Sequence, residues 1–441
     1  MSKPVRETTR LTLAGGIPGY LEPSHALPLV SFTLALRSGA AHEPADRGGV
    51  ARLTARMFRR GAAGMTSREI EEAVDALGGE IAVDVGGSTM AFHGTVIRRN
   101  LDAFVDLVTR LLGSPTFDET ELARLRRESL AELAEVRDND RSLAQIAFRR
   151  ALFAGHPFSR GSSGTISSIP KLGVGDLREF YARHWVRGNA VLGFSGDLDE
   201  PLATSVGNKL LAALPDGPRV ADDLPEPTVK AGRHLIFVDK PERTQTQIII
   251  GSLGTSAHDE DHVPLAVANA IFGGTFTSRL MREIRSKRGW SYGASARLSV
   301  DRRRQSFSMW TFPAATDAAA CIAVEVDLLD KWVTAGITPK ELGFVKKYLG
   351  RSYAFDIDTA SKRLHQALDV DLLGLPADYY SNYVSHVEAV TREAANAAVA
   401  KRISLTDQLY VVVGTAADLL PAIQASIPNL ESTEVVPFDR D

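Results

Sequence analysis

One cysteine, Cys321, stands in a chain of 441 residues. No intramolecular disulfide can form, and a cysteine-ligated zinc or iron–sulfur site is excluded with it. Nowhere does an apolar run approach the roughly 18 residues that span a bilayer, so no membrane association is expected. Excess charge of either sign is also missing: 51 lysines and arginines face 54 acids, for a net charge of −3. That balance argues against a nucleic-acid partner held by whole-surface charge. Phosphate loops and dinucleotide fingerprints are absent, since Gly273-Gly274 has neither a third glycine nor a following lysine-threonine pair. The first ten residues, Met1 to Arg10, hold no apolar core of the kind a secretory signal carries. A cytoplasmic protein is the natural expectation, or a periplasmic one if a signal was removed.

What is present reads as an ordinary globular protein, 44% hydrophobic and 24% charged. Residues 27–36 alternate as a strand, 49–60 and 66–76 carry helical patterns, and Thr66 and Glu69 have capping-box spacing. Strands follow at 80–85 and 88–96, then helices at 100–112, 118–138 and 174–184, and a strand at 190–197. Proline, glycine and acidic residues crowd 214–233 without periodicity, as an exposed linker would. Beyond them the pattern restarts. A strand at 246–254 mirrors the first strand and its glycine stop, and 409–415 mirrors the strand at 190–197. Gly39 recurs at Gly254 and Gly196 at Gly414, displacements of 215 and 218 residues. A duplicated unit fits this better than a short-period solenoid. The partition predicted is an N-terminal domain over 1–213, a linker over 214–233 and a C-terminal domain over 234–441. Strands mixed with runs of helices favour α+β layers.

Two stretches are candidates for chemistry. In His258-Asp259-Glu260-Asp261-His262, histidines at i and i+4 have the spacing of a zinc pair, but acids before a helical pattern also suit a helix N-terminus. The solvated-turn reading is preferred. His156, in a loop, reads as structural. The second stretch is Ser278 to Tyr292. Residues 278–287 predict a short helix that buries Leu280 with Ile284 and stops at Gly289. Trp290, Tyr292, Ala294 and Ala296 then alternate as a half-buried strand, a turn that can bring Arg285 near Tyr292.

The chain resembles the M16 (pitrilysin and mitochondrial processing peptidase) family of zinc peptidases over nearly its whole length. Where that family's first helix carries His-x-x-Glu-His, this sequence has Gly49-Val50-Ala51-Arg52-Leu53-Thr54-Ala55-Arg56-Met57-Phe58-Arg59-Arg60-Gly61. Both histidine positions hold arginines, Arg52 and Arg56, and the glutamate position holds Ala55. A guanidinium offers only donors and a fixed charge, so it repels zinc instead of binding it. The family's distal glutamate ligand falls on Glu132, which is expected to pair with Arg52 or Arg56. The C-terminal half keeps the family pattern in Phe272-Gly273-Gly274-Thr275-Phe276-Thr277-Ser278-Arg279-Leu280, and Arg285 and Tyr292 lie seven residues apart as the family's arginine–tyrosine pair does.

The resemblance implies two homologous α+β domains, each a mainly antiparallel sheet with helices on one face, folded like half of a clamshell. It also implies catalytic roles for Arg285 and Tyr292, a substrate-binding loop at Gly273 and Gly274, and no metal in this chain. Zinc would belong to a partner subunit bearing His-x-x-Glu-His, in a heterodimer that hydrolyses peptides. The alternative is a catalytically inactive structural subunit like the core proteins of a respiratory complex.

Overall fold

A computed structural model describes residues 8–440; the segment 1–7, read above for a secretory signal, lies outside them. The chain forms two compact units. Unit 1 comprises Met1–Leu133, Arg160–Asp223 and Ala354–Ser381, and unit 2 comprises Ala134–Ser159, Leu224–Tyr353 and Asn382–Asp441. Two segments therefore depart from a single cut at 214–233. Residues 134–159 belong to unit 2, and 354–381 belong to unit 1. Within the predicted linker no regular element forms until the strand that opens at Arg233.

Unit 1 is built on strands β1 (Thr9–Thr12), β2 (Pro18–Pro23) and β3 (Leu29–Leu36), a short hairpin of β4 (Gly61–Ala62) and β5 (Met65–Thr66), then β6 (Gly79–Val85), β7 (Met90–Ile97) and β8 (Ala190–Gly196). Six of them form one sheet in the order β1-β2-β8-β3-β7-β6, and every pairing but β2–β8 is antiparallel. Unit 2 contains β9 (Arg233–Asp239), β10 (Gln247–Leu253), β11 (Ala294–Leu298), β12 (Ser306–Thr311), β13 (Gln408–Gly414) and β14 (Leu430–Pro437), in the order β11-β12-β10-β13-β9-β14.

The duplication expected from the glycine landmarks is visible in these orders. Five strands of each sheet correspond in neighbour and direction: β6-β7-β3-β8-β2 matches β11-β12-β10-β13-β9. The sixth differs. Strand β1 enters from the N-terminal side and runs antiparallel to β2, whereas β14 comes from the chain's end and runs parallel to β9.

Strand β13 explains why its residues are apolar at almost every position. Tyr410 and Val412 enter the main core of unit 2, with Phe237, Ile248 and Ile250. Leu409, Val411 and Val413 point the other way and pack with Val238 and Ile249 against Ala144 and Phe148 of the helix Asp140–Leu152. A strand covered on both faces loses its polar alternation. Unit 1 repeats the device, where Leu364, Leu368 and Leu372 of the helix Ala360–Leu373 cover Tyr20, Ala35 and Val191. Each sheet thus carries its main helical layer on one face, as the sequence predicts, and one additional helix on the other. The two additional helices are the segments that cross the predicted domain boundary.

Candidate functional site

In unit 1 the degenerate motif lies on the helix Val50–Met57. Buried Val50, Ala51, Leu53 and Met57 anchor it. Glu43, itself buried, accepts hydrogen bonds from Gly49 N (3.0 Å) and Ala51 N (2.9 Å), satisfying donors that a helix start leaves unpaired. Burial pushes the Glu43 carboxyl up to about 7 against those bonds and the nearby Arg160.

Arg52 and Arg56 are one turn apart and meet the same carboxylate, from the helix Glu119–Glu135. Arg52 Nη2 donates to Glu132 Oε2 at 2.9 Å, and Arg56 Nη1 lies 2.9 Å from Glu132 Oε1. Arg52 also donates to Ser163 Oγ at 2.7 Å, while Arg56 and Arg60 share Glu128 at 3.3 and 2.6 Å. The expected pairing of Glu132 with one arginine is thus a pairing with both. Arg52, Arg56, Arg60 and Glu132 line a cavity of about 740 Å³, with Ala55, Arg59, Glu71 and Asp84 among its walls.

Does this donor set fit a zinc ion? Of the four positions that would matter, two are guanidiniums, one is a methyl group, and the single carboxylate is already paired. The arrangement is a guanidinium–carboxylate lattice and does not fit the metal. Among the described residues no three metal-ligating side chains converge.

The acidic cluster near residue 260 is consumed structurally. Asp259 Oδ2 accepts from Ser256 N (2.8 Å) and Thr255 Oγ1 (2.9 Å), and Arg402 bridges Asp259 and Asp261 at 2.7 and 2.8 Å. Partial burial opposes ionisation of Asp259, but those hydrogen bonds and Arg402 bring its carboxyl down to about 2. His262 opens the helix His262–Asn269 and is buried, which pushes its imidazole down from the ordinary value. His156 accepts from Phe158 N at Nδ1 (3.0 Å) and meets Pro225 O through Nε2 (2.8 Å), a structural role.

In unit 2 the stretch 278–292 forms a helix of an unexpected kind. Met281–Ser286 is π-helical, and Lys287 N bonds Arg282 O five residues back at 3.0 Å. Leu280 and Ile284 are both fully buried, as their spacing predicts, and Gly289 ends the turn with φ +67°. Glu283 gathers Lys287 and Arg288 at 2.5 and 3.0 Å, and Arg279 is fixed by Glu341 at 2.8 Å.

The strand beyond it begins only at Ala294, not at Trp290. Ser291 is the cause. Its buried hydroxyl donates to Gly293 O at 2.6 Å and accepts from Phe312 N at 3.1 Å, and the turn it makes points Tyr292 outward. Tyr292 is 79% exposed and not half-buried. The Arg285 guanidinium carbon lies 4.7 Å from the centre of its ring, so the two expected partners do meet. A third residue joins them that the sequence reading passes over. Phe276 is 70% exposed and its ring centre is also 4.7 Å from the Arg285 guanidinium. An aromatic residue in a glycine-rich loop was the available signal. Among the described residues no carboxylate pairs with Arg285.

Gly273 and Gly274 close a π-helical turn, Ala270–Gly274. A Cβ on buried Gly273 would stand 2.4 Å from both the Cβ and the N of Ala296, so this glycine is demanded by packing on β11. Gly274 is exposed.

Two family models cover the chain: Insulinase (Peptidase family M16) matches residues 21–165, and Peptidase M16 inactive domain matches residues 171–349. The chain belongs to the M16 peptidase family. Among its relatives is a protein of Helicobacter pylori named non-peptidase homolog YmxG, 22% identical over 399 residues, 90% of this chain and 91% of that one. A crystal structure of a peptidase M16 inactive domain from Pseudomonas fluorescens superposes with a TM-score of 0.86 at 25% identity, covering 92% of this chain and 98% of that one. The first half of the periplasmic protease PqqL from Escherichia coli shares the fold, with a TM-score of 0.76 at 15% identity and 98% of each chain covered. Among the described residues no helix is long and apolar enough to cross a membrane.

Proposed function

We infer that this chain is the non-zinc subunit of a heterodimeric M16 metallopeptidase and gives Arg285 and Tyr292 to the site of a partner bearing His-x-x-Glu-His. One contrast carries the reading. Arg52 and Arg56 are tied to Glu132, whereas partly buried Arg285 stands beside exposed Tyr292 and, among the described residues, has no carboxylate on it. A pair kept polar, adjacent and accessible suits a ligand from outside the chain. The H. pylori relative's name, non-peptidase homolog, is consistent with a chain inactive by itself.

The partner's His-x-x-Glu-His residues would hold zinc, which would supply Lewis-acid chemistry for the scissile carbonyl and water. The Tyr292 hydroxyl donates to the oxyanion that develops on that carbonyl, and the Arg285 guanidinium holds a neighbouring substrate carbonyl by paired N–H donors. Both act in trans. The peptide binds extended, through backbone hydrogen bonds with little sequence preference.

Two measurements test this. Purified alone, the chain holds no stoichiometric zinc and cleaves no peptide; mixed with a His-x-x-Glu-His subunit, it restores cleavage. One tight zinc per isolated chain overturns the reading. Full activity after Tyr292→Phe does so too, and leaves the chain a structural subunit.

A further inference from the structure

Phe276 is an exposed phenylalanine on the short loop between the π-helical turn Ala270–Gly274 and the helix that carries Arg285. An apolar ring that is 70% exposed gains nothing from core burial. The loop does not need it either: Thr275 Oγ1 bonds Ala270 O at 3.2 Å, Ser278 N bonds Thr275 O at 3.1 Å, and Ser278 is buried. What the ring does touch is Arg285, at the same 4.7 Å that separates Arg285 from Tyr292.

We propose that Phe276 is a positioning residue for Arg285: with Tyr292 it holds the guanidinium between two aromatic contacts and leaves the N–H edges free for a substrate carbonyl. The argument is one of conformational freedom. Arg285 is itself only partly buried, and a partly exposed arginine without an ion pair still samples several rotamers, so ordering it on binding is costly. Ring faces attract a guanidinium through their quadrupoles without consuming its hydrogen-bond donors. A carboxylate partner would order the side chain equally well but would occupy those donors, as Glu341 does for Arg279. Two rings around Arg285 therefore give order and availability together. Backbone rigidity contributes from below, since Ile284 is fully buried and the turn is closed by the bond from Gly289 N to Arg285 O at 3.0 Å.

This inference rests on Arg285 serving substrate in trans, and the experiment has an arm that does not. In the isolated chain labelled at arginine, Arg285 side-chain protons carry upfield ring-current shifts in the wild type. The shifts shrink in Phe276→Leu and persist in Phe276→Tyr. In the complex with a His-x-x-Glu-His subunit, assayed on a fluorogenic unstructured nonapeptide, Phe276→Leu lowers kcat about 10-fold to 10²-fold, the range that misplacing a catalytic contact produces. KM changes far less, and Phe276→Tyr restores kcat. Unchanged Arg285 shifts in Phe276→Leu, or a Phe276→Leu complex with wild-type kcat, overturns the proposal. A wild-type complex that cleaves nothing overturns the peptidase reading instead, while the shifts still judge whether Phe276 orders Arg285.

Discussion

Arg56 Nη1 stands 2.9 Å from Glu132 Oε1 across two helices, and Arg52 takes the other oxygen of the same carboxylate at 2.9 Å. The pairing occupies the positions at which the resemblance expects zinc ligands, and helix–helix cross-linking there is by charge. All three side chains are partly exposed, and each bond is screened accordingly. Glu132→Ala is expected to cost about 1 kcal/mol in total, lowering the melting temperature by about 2–4 °C. Differential scanning calorimetry at low and high salt checks this: the deficit shrinks as salt rises. A melting temperature identical to wild type at low salt would show the lattice to be energetically idle.

Tyr292 is exposed enough that removing its hydroxyl disturbs no packing. Tyr292→Phe should leave the melting temperature within experimental scatter. In the assembled peptidase it should lower kcat about 10² to 10³-fold, as loss of one oxyanion donor does. Comparing both readouts on one preparation separates lost chemistry from lost assembly.

Glu325 is fully buried in unit 2, where Thr311 Oγ1 reaches its Oε2 at 3.3 Å and its Oε1 has no hydrogen-bond partner among the described residues. Burial pushes its carboxyl up to about 8. An unfolded glutamate ionises near about 4.3, so between these values the folded chain holds a proton that the unfolded chain has released. Stability is full below the lower value and falls as pH rises towards 8, by at most about 1.4 kcal/mol per pH unit for one proton. Glu43, raised to about 7, acts in the same direction over a narrower window. Urea denaturation midpoints from pH 5 to 9 should decline in the wild type and decline less in Glu325→Gln. Parallel curves would exclude Glu325 as the titrating group.

Gly273 shows the limit of assigning function from a motif. Its place in a family loop suggests substrate contact, but a Cβ there would meet the Cβ and N of Ala296 at 2.4 Å. Gly273→Ala should therefore destabilise unit 2 by about 1–3 kcal/mol, the usual cost of overpacking, measurable by urea denaturation.

How much of this was legible beforehand follows from where each signal resides. That Arg52, Ala55 and Arg56 do not suit zinc was legible because ligand chemistry is a property of residue type, needing no coordinates. The repeat was legible because β8 and β13 are buried on both faces and end at glycine. Helix exchange was not, because Leu364, Leu368 and Leu372 make the same amphipathic stripe whichever sheet they cover. Alternation places Tyr292 half-buried because it assumes an unbroken strand, and Ser291 breaks that strand with two hydrogen bonds. Phe276 was invisible for a related reason, since only the folded loop brings it to Arg285.

The frame around Glu132 is expected to accept zinc once ligands are supplied at 52 and 56. The two guanidiniums approach its two oxygens at 2.9 Å from one helical face, so shorter imidazoles at 52 and 56 would converge on the space between them. Ala55 lines the same cavity, which leaves room for a longer side chain. The triple variant Arg52→His, Ala55→Glu, Arg56→His is expected to retain one zinc per chain through gel filtration, by elemental analysis, because two histidines and a carboxylate supply three ligands and leave the fourth position open. Adding Glu132→Gln should weaken retention strongly, since an amide oxygen is a poorer ligand than a carboxylate for a divalent ion. A triple variant that stays folded yet holds no more zinc than wild type would show that the two helices have moved apart from the geometry zinc requires.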